Sequence, residues 1–439
     1  MHCPFDARIL LIFGAIAFLV LQMRLFATQS DYADRIAAAV ESENRCISQL
    51  KALIDQISSQ QGRIVSLEEQ NKRLDTKVLQ LSTRIVDFEN QETSSHLTSA
   101  QPVAAVVVMA CNRADYLDRT VQSILKYHNS VSAKFPLFIS QDGTDQQVRL
   151  KARSFPQFTY MQHLDDEPIH TQSPGEIIAY YKIARHYKWA LSQLFDRHSF
   201  SRVIILEDDM ELAPDFFDYF EATASLLDKD SSLIAVSSWN DNGQRQFVQD
   251  PEALYRSDFF PGLGWMLKKS LWTELAPKWP KAYWDDWLRL NETRKGRQFI
   301  RPEVCRTYNF GEHGSSFGQF FRQYLETIKL NDVQVNWKEE DLTYLMEENY
   351  KKHFAELVSK AVPVPALEAA KAYNIDGDVR IEYDSQRTFE AIARQFGIFQ
   401  EWKDGVPRTA YKGVVVFRWQ TSRYIFVIGP HSLKDLGIN

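Results

Sequence analysis

At 439 residues the chain is too long for one ordinary domain. Its 44% hydrophobic and 25% charged residues exclude global disorder, and a net charge of −6 with no clustered basic patch excludes a nucleic-acid partner. The four cysteines, Cys3, Cys46, Cys111 and Cys305, lack metal-type spacing; only Cys111 and Cys305 could pair within one domain, and nothing demands that they do.

Residues Ile9 to Leu21 (ILLIFGAIAFLVL) are unbroken by charge. They are short of the roughly 20 residues a span takes, but extended to Ala27, with Arg24 snorkelling, they cross a thin bilayer. We expect an uncleaved anchor over 9–27 behind a tail of 1–8; the rival, a cleaved signal peptide, lacks a small-x-small site. Arg8 and Arg24 nearly balance, so charge does not orient the segment. The short tail places the bulk of the chain on the other side. Residues 30 to 90 then read as one long helix. Apolar positions at Ile47, Leu50, Ile54, Ile57, Ile64, Leu67, Leu74, Val78, Leu81, Ile85 and Phe88 fall mostly three and four apart, with a slip near Ile64. The expectation is a dimeric coiled-coil stem, against the plainer alternative of a single helical spacer. Stem and polar linker occupy 28–101.

A β-branched run, VAAVVVMA (Val103 to Ala110), opens an α/β region as a buried parallel strand. Asn112 can cap the helix that follows, with Leu117, Val121, Ile124 and Leu125 on its apolar face. PLFISQDG (Pro136 to Gly143) is a second strand, Tyr180 to Phe195 an amphipathic helix, and Ser201 to Phe220 a strand, an acidic turn and a helix start. This βαβαβ alternation predicts a parallel sheet with helices on both faces and a ligand crevice beyond the carboxyl ends of the strands. Arg113, Asp142 and Glu207-Asp208-Asp209 stand at three such ends and should converge. Crowded like charges are costly without a cation, and oxygen-only ligands suit a hard divalent ion such as Mn²⁺ or Mg²⁺. Residues two apart on an extended chain share a direction, so Glu207 and Asp209 are expected on one face and Asp208 on another. The bland alternative is a solvated turn capping the next helix.

The segments VVVMACNRADYL, SQDG, YYKIARHYKWAL, EDDMELAPDFF, SSWNDNG, DFFPGLGWML, KWPKAYWDDWLR and GVPRTAYKGVVVF together resemble the N-acetylglucosaminyltransferase I family, with wording closest to its plant members. The resemblance runs from about Val103 to the C-terminus. It implies a GT-A nucleotide-sugar domain over 102–345, UDP-N-acetylglucosamine as donor, Mn²⁺ as cofactor, and a high-mannose N-glycan as acceptor. It further implies a single-pass type II protein of the Golgi membrane with its catalytic domain lumenal. Carried over by position, Asp209 is the metal ligand, and Glu207 and Asp208 lie beside the donor sugar and ribose. Arg113, Asp142 and His186 line the nucleotide pocket. Asp285 is the catalytic base, and Gly311 to Phe320 close over the donor with Ser316 near the phosphates. Animal members carry a cysteine after the SQD aspartate, paired with the cysteine at the first strand end; here Gly143 stands there, so Cys111 lacks that partner.

Considered physically, Asp142 could accept the imide N–H of uracil, or simply serve a turn before Gly143. Arg113 offers fixed donors to a base or phosphate, or is a surface arginine. His186 taken alone is an ordinary helix histidine. A β linkage made from an α-linked donor needs inversion in one displacement, hence one general base. Asp285 and Asp286 adjoin between Trp284 and Trp287, whose rings are expected to desolvate the carboxylate and raise its basicity. The alternative is a pair of acids near a helix dipole. Residues 311–318 hold three glycines and two serines, a composition that suits a mobile lid or a plain surface loop. Asn291-Glu292-Thr293 is a glycosylation sequon. Beyond 345, DVRIEY, a hairpin around Gln420 to Ser422 and the helix RTFEAIARQFGI predict a small α+β domain over 346–439. Two other functions compete: a metal-dependent hydrolase using the acidic turn, and a non-catalytic Golgi coiled-coil tether.

Overall fold

The computed structural model describes residues 7–92, 101–315, 317–365, 367–371, 377–420 and 422–438. It forms two compact units, Met1–Ser99 and Ala100–Asn439. The first unit is helix α1, Ala7–Glu92, continuous from the N-terminal apolar run through the heptad region. Among the described residues, no helix is long and apolar enough to cross a membrane. The side chains of residues 7–13, which include part of the apolar run, lie outside the description, as do the heptad positions from Leu67 to Phe88. Of the described heptad positions, Ile47, Leu50, Ile54, Ile57 and Ile64 are exposed.

The second unit begins with strands β1 (Ala105–Ala110), β2 (Leu137–Asp142), β3 (Phe158–His163), β4 (Arg202–Glu207) and β5 (Met210–Leu212). They are followed by β6 (Leu233–Ser237), β7 (Leu254–Ser257), β8 (Trp265–Lys268), β9 (Gln298–Pro302) and β10 (Thr307–Asn309). The helices among them are α2 (Ala114–His128), α3 (Gln146–Arg153), α4 (Ile178–Ser192), α5 (Phe216–Lys229), α6 (Lys269–Leu275), α7 (Trp284–Arg289) and α8 (Asn291–Arg294). Eight strands form one sheet in the order β3-β2-β1-β4-β8-β6-β9-β7. All of β1 is buried, which explains an apolar run without alternation.

The sheet is only half what the alternation implied. From β3 to β4 it is parallel, so the carboxyl ends of four strands share one edge. Beyond β4 it is mixed, with β8 antiparallel to both β4 and β6. Helix α5 returns the chain as a crossover to β6, parallel to β4 but one strand away. The gap is filled later by β8, and a strand inserted from downstream leaves no mark on local periodicity.

The C-terminal stretch contains α9 (Glu347–Lys360), β11 (Val362–Pro363), α10 (Leu367–Lys371), β12 (Val379–Glu382), α11 (Gln386–Phe396), β13 (Trp402–Lys403), β14 (Val406–Pro407), β15 (Val414–Trp419), β16 (Arg423–Ile428) and α12 (Ser432–Leu436). Strands β11-β12-β16-β15 make a second sheet, and the β15–β16 hairpin closes with Trp419 opposite Arg423. Its two faces are both buried. Val414, Val416, Phe426 and Ile428 join the large core, while Val415, Phe417, Ile425 and Val427 build a smaller one with Phe389, Ala393 and Phe396 of α11. Cys111 and Cys305 are both free thiols, Cys111 exposed and Cys305 buried.

One buried ion pair holds the strands behind the acidic turn. Asp215, fully buried at the start of α5, accepts from Arg306 Nε at 3.1 Å and Nη2 at 3.0 Å, from Asn331 at 2.8 Å and from the Trp337 indole at 2.8 Å. Arg306, also fully buried, directly precedes β10. Removing one partner strands the other charge in the core. Asp215→Ala is therefore expected to lose about 3–5 kcal/mol in a denaturant titration; a loss below about 1 kcal/mol would show that the pair is not structural.

Candidate active site

The acidic turn follows β4 directly. Glu207 is the last strand residue, and Asp208 and Asp209 turn the chain into β5. The hydroxyl of Thr120 on α2 fixes this turn: it donates to the Asp208 carbonyl at 2.8 Å and accepts from the Met210 N–H at 2.9 Å. Strand β10 pairs with β5, Asn309 opposite Met210, so Asn309 Nδ2 reaches Asp209 Oδ1 at 2.9 Å and Phe310 N donates to the Asp209 carbonyl at 3.0 Å.

The side chains do not alternate as expected. Asp208 and Asp209 both meet the Arg113 guanidinium, the second at 2.9 Å, while Glu207 points toward α4 and accepts from the Tyr187 hydroxyl at 2.9 Å. Alternation requires extended backbone, and the strand ends at Glu207. Burial is the first reason all three carboxyls resist ionisation, and mutual repulsion adds to it for Glu207 and Asp208. Glu207 is pushed up to about 7 and Asp208 to about 6, while Asp209 is raised. Burial opposes the charge on Arg113 as well, yet Asp208 and Asp209 hold it above its ordinary range. The guanidinium thus acts as the resident cation of a site built for positive charge.

Arg113 also donates to the His313 carbonyl at 2.8 Å, which ties residues 311–314 to the turn. Gly311 lies so close to Asp209 that a Cβ there would overlap the carboxylate. Ser316 lies outside the described residues.

The neighbouring strand ends complete the edge. Asp142, last residue of β2, is opposite His163, last residue of β3, and its Oδ1 accepts from His163 Nδ1 at 2.7 Å. His163 stacks on His186 with ring centroids 5.6 Å apart. His186 Nε2 shares a 2.8 Å hydrogen bond with Ser140, and burial lowers the His186 imidazole to about 4, so it is neutral near pH 7. The Cys111 sulfur, partly buried although the residue as a whole is exposed, is raised by that burial and by both Asp142 and Asp208, so it feels both clusters. Arg113, Asp142, His186 and the acidic turn therefore share one edge.

Asp285 is set differently from expectation. Trp284 turns into the core, stacked on Tyr187 at 4.4 Å, Trp265 at 5.6 Å and Trp279 at 5.8 Å. The Asp285 side chain keeps 42% exposure, and its Oδ2 accepts from Arg289 Nη1 at 3.0 Å. No tryptophan cage desolvates it. A helical turn sends Trp284 inward and its neighbour outward. The Trp284–Tyr187 stack nevertheless brings Asp285 toward Glu207, and the Tyr180 and Tyr187 hydroxyls both feel the two carboxylates, after their own burial.

His163, Tyr187, Asn309 and Arg289 were not among the residues singled out from sequence. His163 closes a polar strand (FTYMQH) that alternation did not flag, and Asn309 precedes the loop Gly311 to Phe320, the only local hint of its place.

Among the described residues, no group of three or more His, Cys, Asp or Glu side chains could alone hold a metal ion. The donor set still fits a hard cation: Asp209 offers carboxylate oxygen at a turn where buried acids outnumber their basic partner.

The GNT-I family model matches residues 12–439. An Arabidopsis thaliana protein named alpha-1,3-mannosyl-glycoprotein 2-beta-N-acetylglucosaminyltransferase is 66% identical over 435 residues, covering 99% of this chain and 98% of that one. Solved structures are more distant. Mannosyltransferase PcManGT from Pyrobaculum calidifontis, in complex with GDP-Man and Mn²⁺, is 17% identical over 52% of this chain and 63% of its own, with TM-score 0.33. S. aureus TarS in complex with UDP-GlcNAc is 10% identical over 59% and 67%, with TM-score 0.32. Neither structure carries an argument about this chain.

Two outcomes follow from the geometry. Gly311→Ala should displace the Asp209 carboxylate and weaken Mn²⁺ binding at least tenfold by calorimetry, with melting temperature nearly unchanged because the loop is at the surface; unchanged Mn²⁺ affinity would contradict the contact. Acids raised on folding bind more protons in the native than in the unfolded chain between about pH 4.5 and 7, so the turn costs stability as pH rises through that window. A divalent cation offsets this cost only where the carboxyls are ionised. The Mn²⁺-induced rise in Tm should therefore be larger at pH 8 than at pH 5.5, and equal rises would refute it.

Proposed function

The chain belongs to the GNT-I family, and from that premise we propose that it moves N-acetylglucosamine from UDP-N-acetylglucosamine, in β-1,2 linkage, onto the α-1,3-linked mannose of a high-mannose N-glycan. Resemblance over nearly the whole chain to an N-acetylglucosaminyltransferase leaves no place for the hydrolase or tether readings. The observation that carries the mechanism is the buried carboxylate turn beside Arg113 at the end of β4. We read the sheet edge as that of a GT-A nucleotide-sugar domain.

Asp209 would hold the divalent cation, which we take as Mn²⁺; bound there, it would neutralise charge on the departing diphosphate. The remaining work falls to the chain's own residues. Asp142 keeps one oxygen on His163 and offers the other to the imide N–H of uracil. His186, neutral and buried, packs behind that pair. Glu207 and Asp208 face the donor sugar and ribose. Asp285 keeps Oδ2 on Arg289 and, with Oδ1, takes the proton of the attacking mannose hydroxyl as C1 of the donor inverts. Residues 311–320, with Ser316 near the phosphates, cover the donor and exclude water that would otherwise hydrolyse it.

We propose further that the apolar segment of 9–27 anchors the chain as a type II protein of the Golgi membrane with its catalytic unit in the lumen. The exposed row from Ile47 to Ile64 supports pairing of α1 with a second copy.

Transfer of labelled N-acetylglucosamine to a five-mannose N-glycan tests the reading. Asp209→Asn and Asp285→Asn should each lose on the order of a hundredfold or more in turnover. Asp285→Asn should keep Mn²⁺-dependent donor binding, and Asp209→Asn should not. Near-normal turnover by Asp285→Asn would remove it as the base.

A further inference from the structure

Helix α7 places two carboxylates side by side, and one nitrogen serves both. Arg289 Nη1 lies 3.0 Å from Asp285 Oδ2 and 2.8 Å from Asp286 Oδ1. Arg289 has little freedom to choose between them. Its side chain is 7% exposed, its guanidinium lies 4.7 Å over the Phe259 ring, and its Nε donates to the Phe260 carbonyl at 3.3 Å. Two anions against one cation leave the cluster a charge short.

The missing charge comes from the C-terminal region. Lys403 Nζ lies 2.7 Å from Asp286 Oδ2, the oxygen that Arg289 does not use. Lys403 is held there by a tight turn. Asp404 and Gly405 between β13 and β14 both have positive φ, 49° and 79°, the Asp-Gly signature of a two-residue type I′ hairpin. The same turn grips the start of α8, where Asp404 Oδ2 accepts from Asn291 N at 2.6 Å. At its root, Trp402 packs edge-on against Tyr383 and tilted against Phe389, 5.8 and 5.7 Å away in the smaller core. The hairpin is thus a rigid arm from the C-terminal core to α7. With burial opposing them, Lys403 and Arg289 hold the Asp286 carboxyl below its usual range.

We propose that Lys403 is a positioning residue for transfer: by saturating Asp286 it keeps Arg289 on Asp285, whose Oδ1 is left open to the acceptor hydroxyl. This rests on reading Asp285 as the base. Among the described residues Oδ1 of Asp285 has no hydrogen-bond partner, as an acceptor awaiting a substrate proton requires. Without Lys403, Asp286 would compete for Arg289, and Asp285 would lose both its orientation and part of its positive surroundings. Tyr180 and Tyr187 of α4 feel the Asp285 carboxylate, and they share it with Tyr283, Glu207 and Asp209. None of these is a cation.

Full-length protein is assayed for transfer to the five-mannose glycan as wild type, Lys403→Met, which keeps the aliphatic stem, Lys403→Arg, Asp286→Asn and the Lys403→Met/Asp286→Asn double variant. Lys403→Met should lower kcat about tenfold and move the acidic limb of its pH profile upward, because a base losing a neighbouring cation ionises later. Donor KM and the melting temperature should change little. Lys403→Arg should restore most of the rate, and the double variant should lose no more than Asp286→Asn alone, since both substitutions act on one link. Wild-type kcat and an unmoved pH profile in Lys403→Met would overturn the proposal and leave the transferase reading intact. A fall in kcat matched by a large fall in Tm, with no change in the pH profile, would make Lys403 merely structural and overturn it too. A wild type without transfer would bring down the reading and the proposal together.

Discussion

Everything at the functional edge follows from crowding half-buried Glu207 against buried Asp208 and Asp209, the two aspartates sharing Arg113 as their basic partner. Like charges in a poorly solvated turn repel, and unfolding would relieve them. The chain instead fixes the turn from several sides. Thr120 bridges its backbone, Asn309 and the Phe310 N–H take Asp209 through β10, and Tyr187 takes Glu207. The Asp215–Arg306 pair then secures the approach to β10 from behind. A folded chain that spends stability to hold acids together is poised for positive charge, and Arg113 shows where such charge is welcome.

The second organising contact is aromatic. Trp284 lies against Tyr187, Trp265 and Trp279, so one indole touches α4, β8 and the segment before α7. Its position sets the distance from the proposed base to the acidic turn, because Tyr187 carries the stack on its ring and the Glu207 bond on its hydroxyl. The Tyr180–Tyr283 stack at 4.8 Å adds a second brace, and Tyr283 bends there into the left-handed region, φ 51°. Backbone strain of this kind persists where surrounding contacts over-determine it, often at functional sites.

What could be read from sequence was what is contiguous. VVVMACNR, PLFISQDG and VIILEDD each carry strand and polar tip together, so β1, β2, β4 and the residues at their ends were legible, as were the C-terminal hairpin and α11. Strand β3 was not, because its buried residues, Phe158, Met161 and His163, follow no two-residue alternation. Nor was the mixed half of the sheet, where β8 fills a gap left by α5. Site geometry failed at the same boundary. Arg113 meets Asp208 from 95 residues away, and Asn309 meets Asp209 from 100; no local period encodes either. The tryptophans of WDDW were visible, but their direction was not. A ring beside an acid in sequence need not lie beside it in space, and on a helical turn it is turned away.

The C-terminal region shows the same separation between what is local and what acts. Its strands read as an ordinary small α+β fold, and no catalytic group stands out in them. Yet β15 and β16 bury both faces, one in the large core and one in the smaller, so this sheet is shared and cannot loosen without disturbing the larger core. A rigid connection of that kind can carry position as well as stability. Because the arm from the smaller core ends on Asp286, movement of the C-terminal sheet would be felt at α7, and through Arg289 at Asp285. On the proposal above, the charge balance of the base is closed by a residue 117 positions downstream of Asp286.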